Sequence, residues 1–187
     1  MKSLLVLCLA ASLSAAQAKE PGPHQHGVAK LQVAVDGKML ELVLESPLAN
    51  LVGFERGPRN DKERQTVRAM ALRFHDPASL FTPTPQARCT ARGAELASGV
   101  IDAALLAATT QTAAPAKPVP GPQAASDGHA DLDATLRFEC ENPAALKDID
   151  VGLFKAFPAL RQLDAAVVTA KGQRGARLTP QKTMLSW

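Results

Sequence analysis

Apolar and polar residues alternate along several stretches of this chain, and strict alternation predicts strands with one buried face. Leu31, Val33 and Val35 alternate with Lys30, Gln32 and Ala34, and Leu40, Leu42 and Leu44 with Glu41, Val43 and Glu45. Asp36-Gly37 lies between the two runs and is a two-residue turn signal, so residues 28–46 read as a hairpin that Pro47 ends. Asp131 to Cys140 alternates as cleanly, and residues 86–96 and 163–169 read as further strands. Val151, Leu153 and Phe154 precede a turn at Pro158, and Gly172-Gln173-Arg174-Gly175 reads as a turn before a short final segment. Leu48 to Gly57 is apolar but short, and reads as an irregular or helical turn.

One stretch changes period. Val67, Met70, Ala71 and Phe74 follow an i, i+3, i+4, i+7 stripe, which predicts a helix over about 60–75. Asn60 is a suitable N-cap with Glu63 three residues on, and Pro77 stops the helix. Its Lys62, Arg64, Arg68 and Arg73 read as a solvated face, with an anionic partner as the alternative. His75 falls in the last turn, where it complements the helix dipole. Residues 97–128 are rich in Ala, Thr and Pro and predict a disordered loop, within which Val100 to Ala108 has the makings of a strand or helical turn. The fold class is therefore α+β, mainly antiparallel sheet with one clear helix and an Ala/Pro-rich loop. Leu40 to Pro47 and Leu136 to Pro143 also echo one another, as two related strand-plus-turn units would, although matches this short arise by chance.

The first residues read differently. Met1-Lys2-Ser3 is a positive n-region, Leu4 to Leu13 is apolar, and Ala16-Gln17-Ala18 is a small-x-small cleavage site. Residues 1–18 are thus expected to be a signal peptide, its apolar run too short to span a bilayer, and residues 19–187 a single exported domain, most simply periplasmic. Export changes the meaning of the cysteines. Cys8 leaves with the signal, and Cys89 and Cys140 form an even pair in an oxidising compartment, which predicts one structural disulfide. The rival is a thiolate metal or redox pair, but there is no C-x-x-C. A net charge of +3 gives no basic footprint for nucleic acid, and 4% aromatic residues with no tyrosine provide no stacking platform.

The chemistry rests on four histidines. In an extended segment residues i and i+2 point the same way, so His24-Gln25-His26 offers two imidazoles on one side, half of a metal site. His129-Ala130-Asp131 repeats the spacing at the start of another strand. His24, His26, His129 and Asp131 all carry the parity of the polar faces, and together they make a four-ligand set of three nitrogens and one oxygen. That set suits zinc, with copper or nickel as competitors. Enzymatic signatures are missing: no G-x-S-x-G, no H-E-x-x-H and no phosphate-binding glycine loop. An enzyme using zinc with an open position is the least supported class, and no catalytic residue is assigned.

The run from His24-Gln25-His26-Gly27 through Asp36-Gly37, then Glu45-Ser46-Pro47 and Gly53-Phe54-Glu55, resembles the ZrgA-type family of periplasmic zinc-uptake proteins. So do His129-Ala130-Asp131-Leu132, Phe138-Glu139-Cys140-Glu141-Asn142-Pro143, Leu153-Phe154 with Phe157-Pro158, and Gly172-Gln173. The resemblance implies a periplasmic zinc-binding protein that assists acquisition beside a membrane metal transporter or receptor. It carries the H-x-H-G motif onto His24, His26 and Gly27, and the later histidine onto His129. Two positions depart from it. Members often have a histidine after Gly-Phe-Glu, where this chain has Arg56, and a His-rich central loop, where this chain has no histidine before His129. A guanidinium beside zinc is unfavourable unless it points away or pairs with a carboxylate, and Glu55 or Asp131 is then left to supply the missing ligand. The alternative function is a metal-free envelope accessory that docks on a transporter or receptor.

Overall fold

The computed structural model describes residues 25–107 and 130–187. The expected signal peptide, His24, His129 and residues 108–128 of the expected loop lie outside the described residues.

Strands β1 (Val28–Asp36) and β2 (Met39–Pro47) form the expected hairpin. Its last pair is Asp36 with Met39, so the two-residue loop is Gly37-Lys38, one position later than the turn signal places it. Gly37 supplies the positive φ of +54° that the loop needs at its first position. The chain continues through a helical turn α1 (Leu48–Val52), the long helix α2 (Asp61–Phe74), β3 (Phe81–Pro83), β4 (Cys89–Ala97) and the short helix α3 (Ala103–Leu106). After the undescribed stretch come β5 (Asp131–Cys140), β6 (Asp148–Val151), a helical turn α4 (Leu153–Ala156), β7 (Gln162–Thr169), β8 (Gly172–Leu178) and β9 (Met184–Ser186).

Six strands make one sheet in the order β4-β5-β2-β1-β7-β8, antiparallel throughout except for the parallel pair β1–β7. Strands β3, β6 and β9 form a second, small antiparallel sheet. The α+β class with mainly antiparallel sheet and one sizeable helix is thus the observed one. The small sheet has no counterpart in the sequence pattern, because β3 and β9 have three residues each, too few to display alternation. Gly172 to Gly175 is the first half of β8 rather than a turn. Thr169 pairs with Gly172, which leaves Ala170-Lys171 as the loop. The segment 97–107 is also more ordered than its composition predicts: Ile101 and Leu106 are buried, and the His75 Nε2–H donates to the Leu106 carbonyl at 2.7 Å. His75 therefore ties α3 to the end of α2 in addition to capping it.

The alternation read from sequence is the core. Leu31, Val33, Leu40, Leu42, Leu44, Leu132, Leu136, Phe138, Leu163 and Val167 are each at most 1% exposed and share one face of the large sheet. Val67, Met70, Ala71 and Phe74 of α2 are buried in the same core, with Phe74 stacked on Phe157 at 5.4 Å between centroids. Each of the larger side chains contributes about 2 kcal/mol of burial. The outer face carries exposed cross-strand ion pairs: Lys30–Glu45, Arg137 with Glu41 and Glu95, Arg92–Glu139 and Arg177–Asp164. Pairs this exposed add little stability individually, but they keep the face polar.

Cys89 and Cys140 are bonded, as expected, and are direct partners in the β4–β5 ladder. The bond spans a sequence separation of 51 that includes the undescribed stretch. In a chain-entropy account, cross-linking a loop of that length stabilises the fold by about 4 kcal/mol. Replacing both cysteines by serine is expected to lower unfolding free energy by about that amount in urea denaturation. An unchanged midpoint would contradict this assignment.

The start of α2 is clamped by charge. The Asn60 side chain accepts the Glu63 N–H at 2.9 Å. The Glu63 carboxylate accepts both terminal nitrogens of Arg56, at 2.7 and 2.9 Å, and the Arg59 backbone N–H at 2.7 Å. These bonds, that from Arg56 first, lower the Glu63 pKa to about 2. A carboxylate depressed in the folded state contributes stability at pH values above its unfolded pKa and loses it as pH falls through the folded one. Glu63→Gln is therefore expected to be less stable than the wild type at neutral pH, with the difference closing between about pH 4.5 and about pH 2. Urea midpoints measured across that range test it, and a pH-independent difference would show that the charge is not the cause.

Candidate metal centre

Strand pairing decides which chain segments meet. Strand β2 is antiparallel to both β1 and β5, so those two strands run the same way on either side of it. Their first residues lie at the same end of the sheet, two strand spacings or about 10 Å apart. Strand β2 ends there too, since Pro47 pairs with Asp131, and β7 begins there, since Val28 pairs with Gln162. The H-x-H segment leads into β1 at this end, and the H-x-D segment leads into β5 at this end.

Helix α1 fastens the starts of both strands. Its first residue, Leu48, donates its N–H to the carbonyl of Ala130 at 2.8 Å. Its Asn50 is 3% exposed, and the side-chain Oδ1 accepts the Gly27 N–H at 2.7 Å, beside His26. The Asn50 Nδ2 donates to the Val28 carbonyl at 2.9 Å and to Ser46 Oγ at 3.3 Å. The Gly27 carbonyl accepts from Arg161 N and Gln162 N, at 2.7 and 2.8 Å. Gly27 has φ +83°, and a Cβ there would meet Arg161 Cγ at 3.2 Å, so the turn requires glycine.

His26 lies in this turn with its side chain 74% exposed, and its Nδ1 stands 3.4 Å from Glu55 Oε1. Glu55 follows α1 and the left-handed Gly53 that ends it. Asp131 is half-buried and shares a face with Asp133, whose ladder partner is Glu45. Partial desolvation, then the charges of Glu45 and Asp131, raise the Asp133 pKa. The carboxylates of Asp131, Asp133 and Glu45 thus lie close together at the start of β5, with Lys30 paired to Glu45.

Arg56 does not face His26. It is taken up by Glu63, donates to the Gly57 carbonyl at 3.1 Å and lies over the Phe54 ring at 5.0 Å. Its charge is neutralised by pairing, which removes the objection to a cation-binding site next door.

Among the described residues, no three His, Cys, Asp or Glu side chains converge on a point where a metal ion could be held. His26 and Asp131 are described, and the former is joined by Glu55. His24 and His129 lie outside the described residues. The donor types fit zinc, for which imidazole nitrogen and carboxylate oxygen are ordinary ligands. Motif reading gives Asn50 no role. Its signal is present all the same, since a lone amide inside Leu48-Ala49-Asn50-Leu51-Val52 has to find hydrogen-bond partners if the run is buried.

No curated protein matches the chain. The family model described as "ZrgA family zinc uptake protein" matches residues 23–187, from just before the H-x-H motif to the last residue. The chain belongs to the ZrgA family of zinc uptake proteins.

Proposed function

We propose that this chain is an exported, periplasmic zinc-binding protein that holds zinc at His24, His26 and His129 with Asp131, and hands it to a membrane uptake system. The observation that carries the reading is the double attachment of α1. One five-residue helix is hydrogen-bonded to the residue after His26 and to the residue after His129, at the sheet end where both strands begin. Family membership supports zinc as the metal, and the disulfide fits an oxidising compartment outside the cytoplasm.

Zinc is cargo in this reading, and no catalysis is assigned. A cargo site must release what it binds. The 74% exposure of the His26 side chain leaves that ligand accessible to an exchanging partner. The Glu55 carboxylate, 3.4 Å from His26 Nδ1, would offset part of the charge of the ion. Copper and nickel accept the same donors, so selectivity among them lies in geometry and supply.

Zinc titration calorimetry on chelator-treated residues 19–187, beside a variant with His24, His26 and His129 changed to alanine, tests the proposal. One tight site in the wild type, absent from the variant, is expected. Binding is also expected to weaken on acidification, because protons compete for the imidazoles. A wild-type chain that binds no zinc, yet associates with a membrane transporter, would replace this reading with that of a metal-free docking accessory.

A further inference from the structure

We propose that the free edge of β8 is a docking site for an extended, acidic segment of a partner protein, which adds to the large sheet as a seventh strand. The proposal does not depend on zinc binding. The large sheet ends at β4 on one side and at β8 on the other. An edge strand presents a row of unpaired N–H and C=O groups, and proteins commonly blunt such rows with bulges or prolines. Strand β4 has such a device, a register shift between Ala91 and Gly93. Strand β8 has none: its pairing with β7 runs unbroken from Leu178 to Gly172, with no proline in the strand. Among the described residues, no backbone group of residues 173–178 is bonded outside that pairing. Gly172, Gln173, Arg174, Gly175 and Arg177 are exposed.

Charge and shape define the occupant. The last acidic residue of the chain is Asp164, and after it come Lys171, Arg174, Arg177 and Lys182. Arg177 is paired with Asp164, as Arg92 and Arg137 on the same sheet are with their own carboxylates. Arg174, Lys171 and Lys182 have no ion pair with a described residue. Pairing β8 with a second copy of itself would bring these cations together, and like charges across a ladder are destabilising. A strand carrying carboxylates complements them instead. Gly175 sets a second requirement. It pairs with Ala166 and has no side chain to cover it, and Val168, next on that face of β7, is 50% exposed. A Cβ at Gly175 would meet nothing closer than the Ala165 carbonyl at 3.8 Å, so the space there is open. A large apolar side chain on the added strand covers this spot, as aromatic residues do beside edge glycines. Successive side chains of a strand point to opposite faces. The partner's carboxylates therefore lie on the face of Arg174 and its apolar residue on the face of Gly175, while the backbone bonds supply the affinity.

The test uses residues 19–187 and a short fluorescein-labelled peptide in which glutamate alternates with valine around a central phenylalanine. Binding is read by fluorescence anisotropy and located by amide hydrogen exchange. Saturable binding is expected, with exchange slowed at residues 172–178. Arg174→Glu should weaken it by about tenfold, since an attraction becomes a repulsion, and added salt should weaken it as well. Arg174 is exposed, so this variant changes the surface and leaves the core alone. A peptide with lysine in place of glutamate should not bind. Nor should the acidic peptide N-methylated throughout, which has no backbone donors to pair. An acidic peptide that does not bind overturns the proposal. So does binding that Arg174→Glu leaves unchanged, binding that survives N-methylation, or protection that falls elsewhere, as on the Arg68 and Arg73 face of α2. A chain that sediments alone as a dimer, with residues 172–178 protected, overturns the acidic partner in favour of a second copy.

Discussion

Strand β2 is hydrogen-bonded along its length to β1 on one side and to β5 on the other, and the rest of the molecule is arranged around that double pairing. Its Leu40, Leu42 and Leu44 are fully buried and sit opposite Val35, Val33 and Leu31 on one side and Phe138, Leu136 and Ala134 on the other. A one-residue slip in either ladder would turn every one of these side chains to solvent, so the register is strongly fixed. With the register fixed, the starts of β1 and β5 have to lie at one end of the sheet. Segments about a hundred positions apart in sequence are thus brought to one end of the sheet by the packing of the strand between them.

At that end the problem changes from burying apolar surface to holding irregular backbone. The chain turns into β1 at Gly27, leaves β2 into α1, and begins β5 after Ala130. Their backbone groups are partnered across elements: Leu48 with Ala130, and Gly27 and Val28 with Asn50. Charge is handled in the same neighbourhood. Arg56 is paired with Glu63, Glu55 stands beside His26, and Lys30 pairs with Glu45.

Much of this is legible in the sequence because it is local. Period-two alternation marks β1, β2, β5 and β7 and their buried faces, and the Val67, Met70, Ala71 and Phe74 stripe with Asn60 and Glu63 marks α2. The even pair of cysteines indicates the disulfide. The illegible parts depend on long-range pairing. Nothing local makes β1 and β7 parallel neighbours, or brings Phe81–Pro83 and Met184–Ser186 together on β6. The burial of Ile101 and Leu106 is masked by a composition that elsewhere predicts a loop. The histidine spacings are visible in sequence, but the attachment of α1 to the starts of both β1 and β5, through Asn50 and the Leu48 N–H, is not.

The central claim is that one zinc ion lies between the start of β1 and the start of β5. Anomalous diffraction at the zinc edge, from crystals of the zinc-loaded chain, tests it most directly. The predicted result is a single strong peak at that end of the sheet, with His26 and His129 among its ligands and Asn50 still bonded to the Gly27 N–H. A peak elsewhere on the fold, or one reached from only one of the two strands, would contradict it.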